Sequence, residues 1–382
     1  MQVAERPLLK IEAETEGGKI VFRAKGPLSR VAGPVMKKIN ETFSGEKPIS
    51  SEPDRIIFST WIPPAPGPAF DRMISSQVAA MTWRRVPDQV SIAVIRACPN
   101  DCIHCSAPSR TGEVLSSGDI ERVIGEGLDL GSYMITFDGG EPMTRRDLPD
   151  LVAKVDDRAI SASFTSGFGL TEKLAKELKA AGLYAVRVSI DSPHPAEHDR
   201  FRGRKGAFSD ALSGIKNGLA GGLLVDLFMV TSPMNIDDLE DAYNMAAELS
   251  VHELSLYEIV AVGRWSDHAD EVLSRGDIDR LSRFQLEKNR LPEGPKVTAL
   301  PHLLSPEIFG CFAGRRWLHV DASGDVLPCA YMPIPFGNVR EMSLADIWRE
   351  MGRDRWFRGK PQGCMMKDEE FRRAHPSIFK TG

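Results

Sequence analysis

Six cysteines stand in this 382-residue chain, at 98, 102, 105, 311, 329 and 364, and they fall into two groups of three. The first group, Cys98-Pro99-Asn100-Asp101-Cys102-Ile103-His104-Cys105, has C-x3-C-x2-C spacing and follows directly on the apolar run near residues 90–96. Packing alone does not ask buried cysteines to keep a fixed spacing. Three thiolates on one loop suit three irons of a [4Fe-4S] cubane and leave the fourth iron without a protein ligand, which is where chemistry can happen. The competing reading is zinc, but a closed zinc site takes four ligands in paired spacing. His104 lies between two of the cysteines, too close to chelate the same metal comfortably.

About one strand and helix further on stands Asp138-Gly139-Gly140-Glu141-Pro142. Glycines there permit close approach of backbone to a ligand, and Glu141 is a candidate acceptor for an ammonium group. An ordinary turn before a helix would read the same way. Arg202 is a candidate partner for a carboxylate, against the bland reading of an exposed arginine. In the second cysteine group, Cys311 and Cys329 enclose Gly324 as C-x12-G-x4-C, and Cys364 follows, trailed by Met365, Met366 and Lys367. Three cysteines again suit a cluster with an exchangeable or non-cysteine ligand; a structural role without a cluster is the alternative.

The cysteine loop resembles the signature of the radical S-adenosylmethionine (SAM) superfamily, and Gly139 to Pro142 resemble that family's GGEP motif in the expected order. The resemblance, over roughly residues 88–365, implies a partial (β/α)6 barrel. It also implies that SAM chelates the open iron and is cleaved reductively to a 5′-deoxyadenosyl radical that removes hydrogen from a substrate. His104 would lie against the adenine, Gly139, Gly140, Glu141 and Pro142 would bind the methionyl amine, and Ser163, Thr165, Ser166, Ser189 and Asp191 would serve the ribose and carboxylate. The second group, with Gly337-Asn338 and the helix signal at Ser343 to Trp348, resembles the SPASM and Twitch extensions, which hold auxiliary [4Fe-4S] clusters. A peptide or small-molecule substrate and a low-potential electron donor such as ferredoxin or flavodoxin are the partners implied. A non-catalytic iron-sulfur electron carrier or a zinc-binding interaction protein is the rival class, and such a protein has no use for Gly139 to Pro142.

Positioning these residues requires an α/β frame. Apolar runs near 90–96, 132–137, 159–164, 184–190, 223–230 and 252–259 alternate with amphipathic stretches at 117–130, 171–181, 208–219 and 236–249, the pattern of a parallel sheet with crossover helices. Before them come a β-hairpin around Gly17-Gly18 and a helix near residues 30–43, together a candidate recognition module for a peptide. The expected division is 1–60 for this N-terminal α+β region, 61–87 for a proline-rich linker, 88–300 for the barrel and 301–382 for the cluster-binding extension. With 48 basic and 53 acidic residues the formal charge is −5, which offers no general attraction to nucleic acid. No stretch has the character of a secretion signal or a membrane span, so the expected location is the cytoplasm.

Overall fold

The computed structural model describes residues 2–6, 9–16, 19–27, 29–30, 33, 37, 40, 46–81, 84–107, 111–359 and 363–378. Three antiparallel strands open the chain: β1 (Gln2–Arg6), β2 (Leu9–Glu16) and β3 (Lys19–Lys25). The expected hairpin is thus β2–β3 with a further strand on its outer side, and the helix expected at 30–43 lies largely outside the described residues. A two-stranded ribbon follows, β4 (Ser50–Ser51) with β5 (Ile56–Ile57).

The expected linker is a packed element. Residues 61–87 contain the fourteen-residue helix Pro68–Met81, and Ala65 makes a bridge to Ile56 in the N-terminal ribbon. Proline at the first helical position is tolerated because that N–H has no intrahelical acceptor. Phe22 of β3 stacks within 5.4 to 6.5 Å of Phe58 and Phe70, so apolar burial fixes the N-terminal sheet to this segment.

The main sheet runs β12-β11-β10-β9-β8-β7-β6-β13-β14. Its parallel strands are β6 (Gln89–Ile95), β7 (Met134–Gly139), β8 (Ile160–Thr165), β9 (Ala185–Ser189), β10 (Leu224–Thr231), β11 (Glu253–Glu258) and β12 (Lys296–Ala299), each beside its predecessor in sequence. This is the expected partial barrel, with β12 as a seventh strand. On the far side of β6, β13 (Trp317–Val320) adds in parallel and turns back into β14 (Val326–Leu327), so the C-terminal segment extends the same sheet.

Side-chain parity along the strands separates two surfaces. Val90, Ile92 and Val94 of β6 and Val225, Leu227 and Met229 of β10 join the core under the helices, whereas Ser91, Ala93 and Phe228 line an interior cavity. The helices start and stop on local signals. Helix Ser117–Leu130 opens on a Ser116/Asp119 capping box and closes on Gly131 at φ 105°.

One end of the barrel is closed by residues 59–61. Glu253 accepts from Ser59 Oγ at 2.7 Å and Thr60 N at 2.6 Å, and Thr60 Oγ1 donates to Asp226 at 3.1 Å. Arg187, fully buried, donates to Thr60 O at 3.0 Å, sits 3.6 Å over the Trp61 ring and lies 3.6 Å from Asp226. Replacing Arg187 by methionine leaves two buried carboxylates without their cation and should cost about 3–5 kcal/mol. Urea unfolding followed by circular dichroism measures this; a loss below about 1 kcal/mol would show that the buried pair is not what closes the barrel.

Candidate active site

The loop of Cys98, Cys102 and Cys105 leaves β6 and is gripped from three sides. From β7, Gly140 N donates to Ile95 O at 2.6 Å and Glu141 N to Ala97 O at 2.8 Å. A Cβ on Gly140 would stand 2.1 Å from Ala97 O, and one on Gly139, at φ 123°, 2.4 Å from Ile95 O. From the helix Pro195–Arg202, Asp101 N and Ile103 N donate to the carbonyls of Arg202 and Phe201, both at 2.9 Å. From the segment after β11, Arg264 N donates to Cys105 O at 3.0 Å, its guanidinium reaches Cys102 O at 3.3 Å, and it pairs with Asp101. The Gly139-Gly140 pair is therefore required by the cysteine loop itself, beside the close approach to a ligand expected of it.

Other expected residues separate into two groups. Glu141 is buried, and its carboxylate already accepts from Thr165 Oγ1 at 2.7 Å, Ser166 N at 2.7 Å, Met143 N at 3.2 Å and the Ser166 hydroxyl. Burial raises its pKa and these bonds counter only part of that. It ties β7 to β8 and has no lone pair directed at an ammonium, contrary to expectation. Pro142, also buried, starts the short 3-10 turn that Glu141 caps. Ser163 falls out of the site: it is level with Phe137 of the core, its hydroxyl donates to Phe137 O at 3.2 Å, and its neighbour Phe164 faces the cavity. Thr165 shares that outer parity and serves Glu141. Ser189, half-buried and level with Phe228, faces inward.

Asp191, His104 and Arg202 form one cluster. Asp191, fully buried, meets His104 Nε2 at 2.8 Å and Arg202 Nη2 at 2.9 Å, and accepts from Val230 N at 3.2 Å. Burial would raise its carboxyl, but Arg202 and His104 outweigh it and hold the pKa well below the usual carboxylate range. His198 Nδ1 accepts from Asp191 N at 3.1 Å. Burial first, then Arg202, push His198 down to about 4, so it is neutral and free to accept.

Cys311, Cys329 and Cys364 come together at the wall of a cavity of about 1590 Å³ that also reaches Gly139, Ser106 and Ala107 beside the first cysteine loop. Burial raises all three thiols, Cys329 to about 12, and Glu258 adds to the rise at Cys311 and Cys364. Backbone N–H groups of Ala313 and Met365 point at the Cys311 sulfur, those of Tyr331 and Met332 at Cys329, and that of Met366 at Cys364.

Several cavity groups escaped the sequence reading. Asp138, on β7, shares the inward parity of Thr136; its Oδ2 lies 3.7 Å from His319 Nδ1, and its Oδ1 is buried without a hydrogen-bond partner among the described residues. His319 meets Ser91 Oγ at 2.9 Å. Alternation along β7 would have flagged Asp138, whereas His319 lies on β13, in the short hairpin expected around Gly324, whose place beside β6 the sequence does not show.

With this geometry in place, comparison with known proteins gives a consistent result. The radical SAM superfamily model matches residues 92–246, and that of SPASM, an iron-sulfur cluster-binding domain, matches residues 311–372. The chain is 28% identical over 296 residues to an AdoMet-dependent heme synthase of Methanosarcina barkeri, covering 70% of this chain and 83% of that protein. It is 30% identical over 307 residues to a PqqA peptide cyclase of Rhizobium meliloti, covering 76% and 82%. The crystal structure of Streptococcus suis SuiB bound to S-adenosylmethionine superposes with a TM-score of 0.60 at 15% identity, covering 78% of this chain and 72% of that one, a likeness of fold. The chain belongs to the radical SAM superfamily and carries a SPASM domain; it is an enzyme. Its cofactors are SAM with a [4Fe-4S] cluster in the radical SAM domain and auxiliary iron-sulfur in the SPASM domain.

Cys311, Cys329 and Cys364 fit the auxiliary group: thiols that burial would keep protonated on their own, with N–H groups aimed at their sulfurs, are suited to ligating iron as thiolates. Cys98, Cys102 and Cys105 share one short loop held in place by β7 and by the helix Pro195–Arg202, as a cluster loop would be. No disulfide removes any of the six cysteines. A direct check follows from the Gly140 contact. Gly140→Val should push Ala97 and the cysteine loop apart and lower iron by about four per chain, one cubane. Gly125→Ala, where a Cβ meets nothing within 4 Å, is the control and should keep its iron. Full iron in the valine variant would show that the loop tolerates displacement.

Proposed function

We propose that this enzyme oxidises a substrate held in the large cavity, with SAM and the first cluster at one end and the C-terminal cluster at the other. The observation that supports this reading is the continuity of the cavity from Gly139 and Ser106 to Cys311, Cys329 and Cys364. Cys98, Cys102 and Cys105 would hold the first cluster, and Cys311, Cys329 and Cys364 the second. Bound to the reduced first cluster, SAM supplies a 5′-deoxyadenosyl radical that abstracts hydrogen. The chain's own residues then do the rest. Asp191, with Ser189 near it at the end of β9, and the carbonyls around Gly139 and Gly140 face the SAM end, and His104 is held for stacking by Asp191 and by Phe201, 6.2 Å away.

Asp138 is the proton acceptor in this reading. Loss of hydrogen and an electron from a substrate leaves a proton to remove, and Asp138 offers an oxygen with no partner among the described residues. Burial raises its pKa, which His319 only partly offsets, so its basicity suits the task. Three other carboxylates of the cavity are paired with cations: Glu46 with Lys296 at 2.8 Å, and Asp88 and Glu258 with Arg316 and Lys367.

The substrate read here is a peptide segment. The cavity extends to Phe22 of the N-terminal sheet, whose outer strands offer edges to an extended chain, and one similar protein is a peptide cyclase. A tetrapyrrole is the second reading, favoured by the aromatic lining and the heme synthase similarity: Tyr257 stacks with Tyr331 at 5.2 Å and with Phe228 at 6.1 Å. Among the described residues no helix is long and apolar enough to cross a membrane. The reading places the enzyme in the cytoplasm with a ferredoxin or flavodoxin as electron source.

Anaerobic enzyme with SAM, dithionite and a cell extract of its source should form 5′-deoxyadenosine faster than without extract. Protease treatment of the extract should abolish the stimulation; stimulation that survives protease would overturn the peptide reading and favour the tetrapyrrole. With the stimulating fraction, Asp138→Asn should keep substrate-independent cleavage of SAM and lose about 10²-fold in product, the usual scale for a general base. Unchanged product formation would remove Asp138 from the chemistry.

A further inference from the structure

The mechanism above leaves the buried cation beside the first cysteine loop unused. Arg202 ends its helix with the side chain turned beneath the cysteine loop, 7% exposed. Nη1 lies 3.8 Å from Cys102 Sγ and Nη2 lies 2.9 Å from Asp191 Oδ2 as an ion pair, while neither Nε nor Nη2 makes a hydrogen bond among the described residues. Its backbone is fixed as well, since Arg202 O accepts from Asp101 N within the same loop. A surface arginine would have no reason to be held at both ends in this way. Burying a guanidinium is costly, and Asp191 offsets that cost from the nitrogen that does not face the sulfur. The pair is therefore an oriented dipole with its positive end toward Cys102.

On the reading that Cys98, Cys102 and Cys105 hold the first cluster, we propose that Arg202 is a positioning residue that raises this cluster's reduction potential. Reduction takes one electron from an external low-potential donor, and the cluster with its thiolates gains one negative charge. No bond is made or broken in that step. A cation and an N–H donor held at a ligand sulfur, away from water, favour the more negative state, because hydrogen bonds to the sulfurs and local charge set cluster potentials. The consequence is that the cluster is brought within reach of the donor before SAM is cleaved.

The test is a redox titration of the full chain without SAM, followed by electron paramagnetic resonance, on wild type, Arg202→Met, Arg202→Lys and Asp191→Asn. The methionine variant should lower the midpoint by at least 59 mV, a tenfold fall in reduced cluster at fixed potential. Lysine, which keeps the charge, should shift it less. The C-terminal cluster should titrate unchanged in every variant and serves as internal reference. Asp191→Asn, which leaves Arg202 uncompensated, should move the midpoint the other way. A methionine variant with full iron and an unmoved midpoint would overturn the proposal. If that variant lost its first cluster, an unmoved or lowered midpoint in Asp191→Asn would overturn it as well. A wild type with no signal from a first cluster would instead sink the reading on which the proposal rests.

Discussion

Contacts at backbone distance hold residues 98–105 in place, and the rest of the site is arranged around them. Gly140 meets Ala97, Gly203 meets Asp101 and Gly263 meets Cys105, each so closely that a Cβ would lie 2.1 to 2.3 Å from a carbonyl oxygen. These three glycines come from the ends of β7, of the helix after β9 and of the segment after β11. The loop is thus an object that the barrel closes upon, and its three thiols take their relative positions from strands far apart in sequence. That is how a short irregular segment acquires the rigidity a catalytic constellation needs.

The second consequence concerns how the sheet is completed. By placing β13 beside β6, the C-terminal segment becomes part of the barrel wall and brings His319 and Trp317 into its interior. Cys311, Cys329 and Cys364 line this space, which also reaches Ser106 and Ala107 beside the first cysteine loop and is closed at one end by the buried pairing of Arg187, Asp226 and Glu253 with residues 59–61. Several charged groups within it pair with one another, and Asp138 keeps a buried oxygen without a hydrogen-bond partner among the described residues.

Much of this frame was legible in the residues. The six strands from β6 to β11 stand within two residues of where apolar runs placed them, because each is a run of β-branched and aromatic residues bounded by helices. Strand β12, of four residues, is too short for a pattern; a hairpin around Gly324 was expected and is formed by β13 and β14, but the long-range pairing of β13 to β6 was not legible. The proline run suggested a linker because Pro breaks regular structure, yet helix Pro68–Met81 begins on such a proline. The cysteines stood out by their spacing, and Gly139-Gly140 by resemblance to a family motif in the expected order after them. Glu141 was found and misread, since nothing in sequence shows that Thr165 and Ser166 of the next strand already occupy its oxygens. Only the fold shows Gly263 and Arg264, after β11, closing on Cys105 and Asp101.

The central claim is that two sets of three thiols hold two clusters on one cavity and that the first of them cleaves SAM. Anaerobically reconstituted wild-type chain should contain about eight irons and eight sulfides, four for each cubane. With SAM and dithionite it should release 5′-deoxyadenosine and methionine in equal amounts. A chain that held about four irons and released neither product would contradict the account.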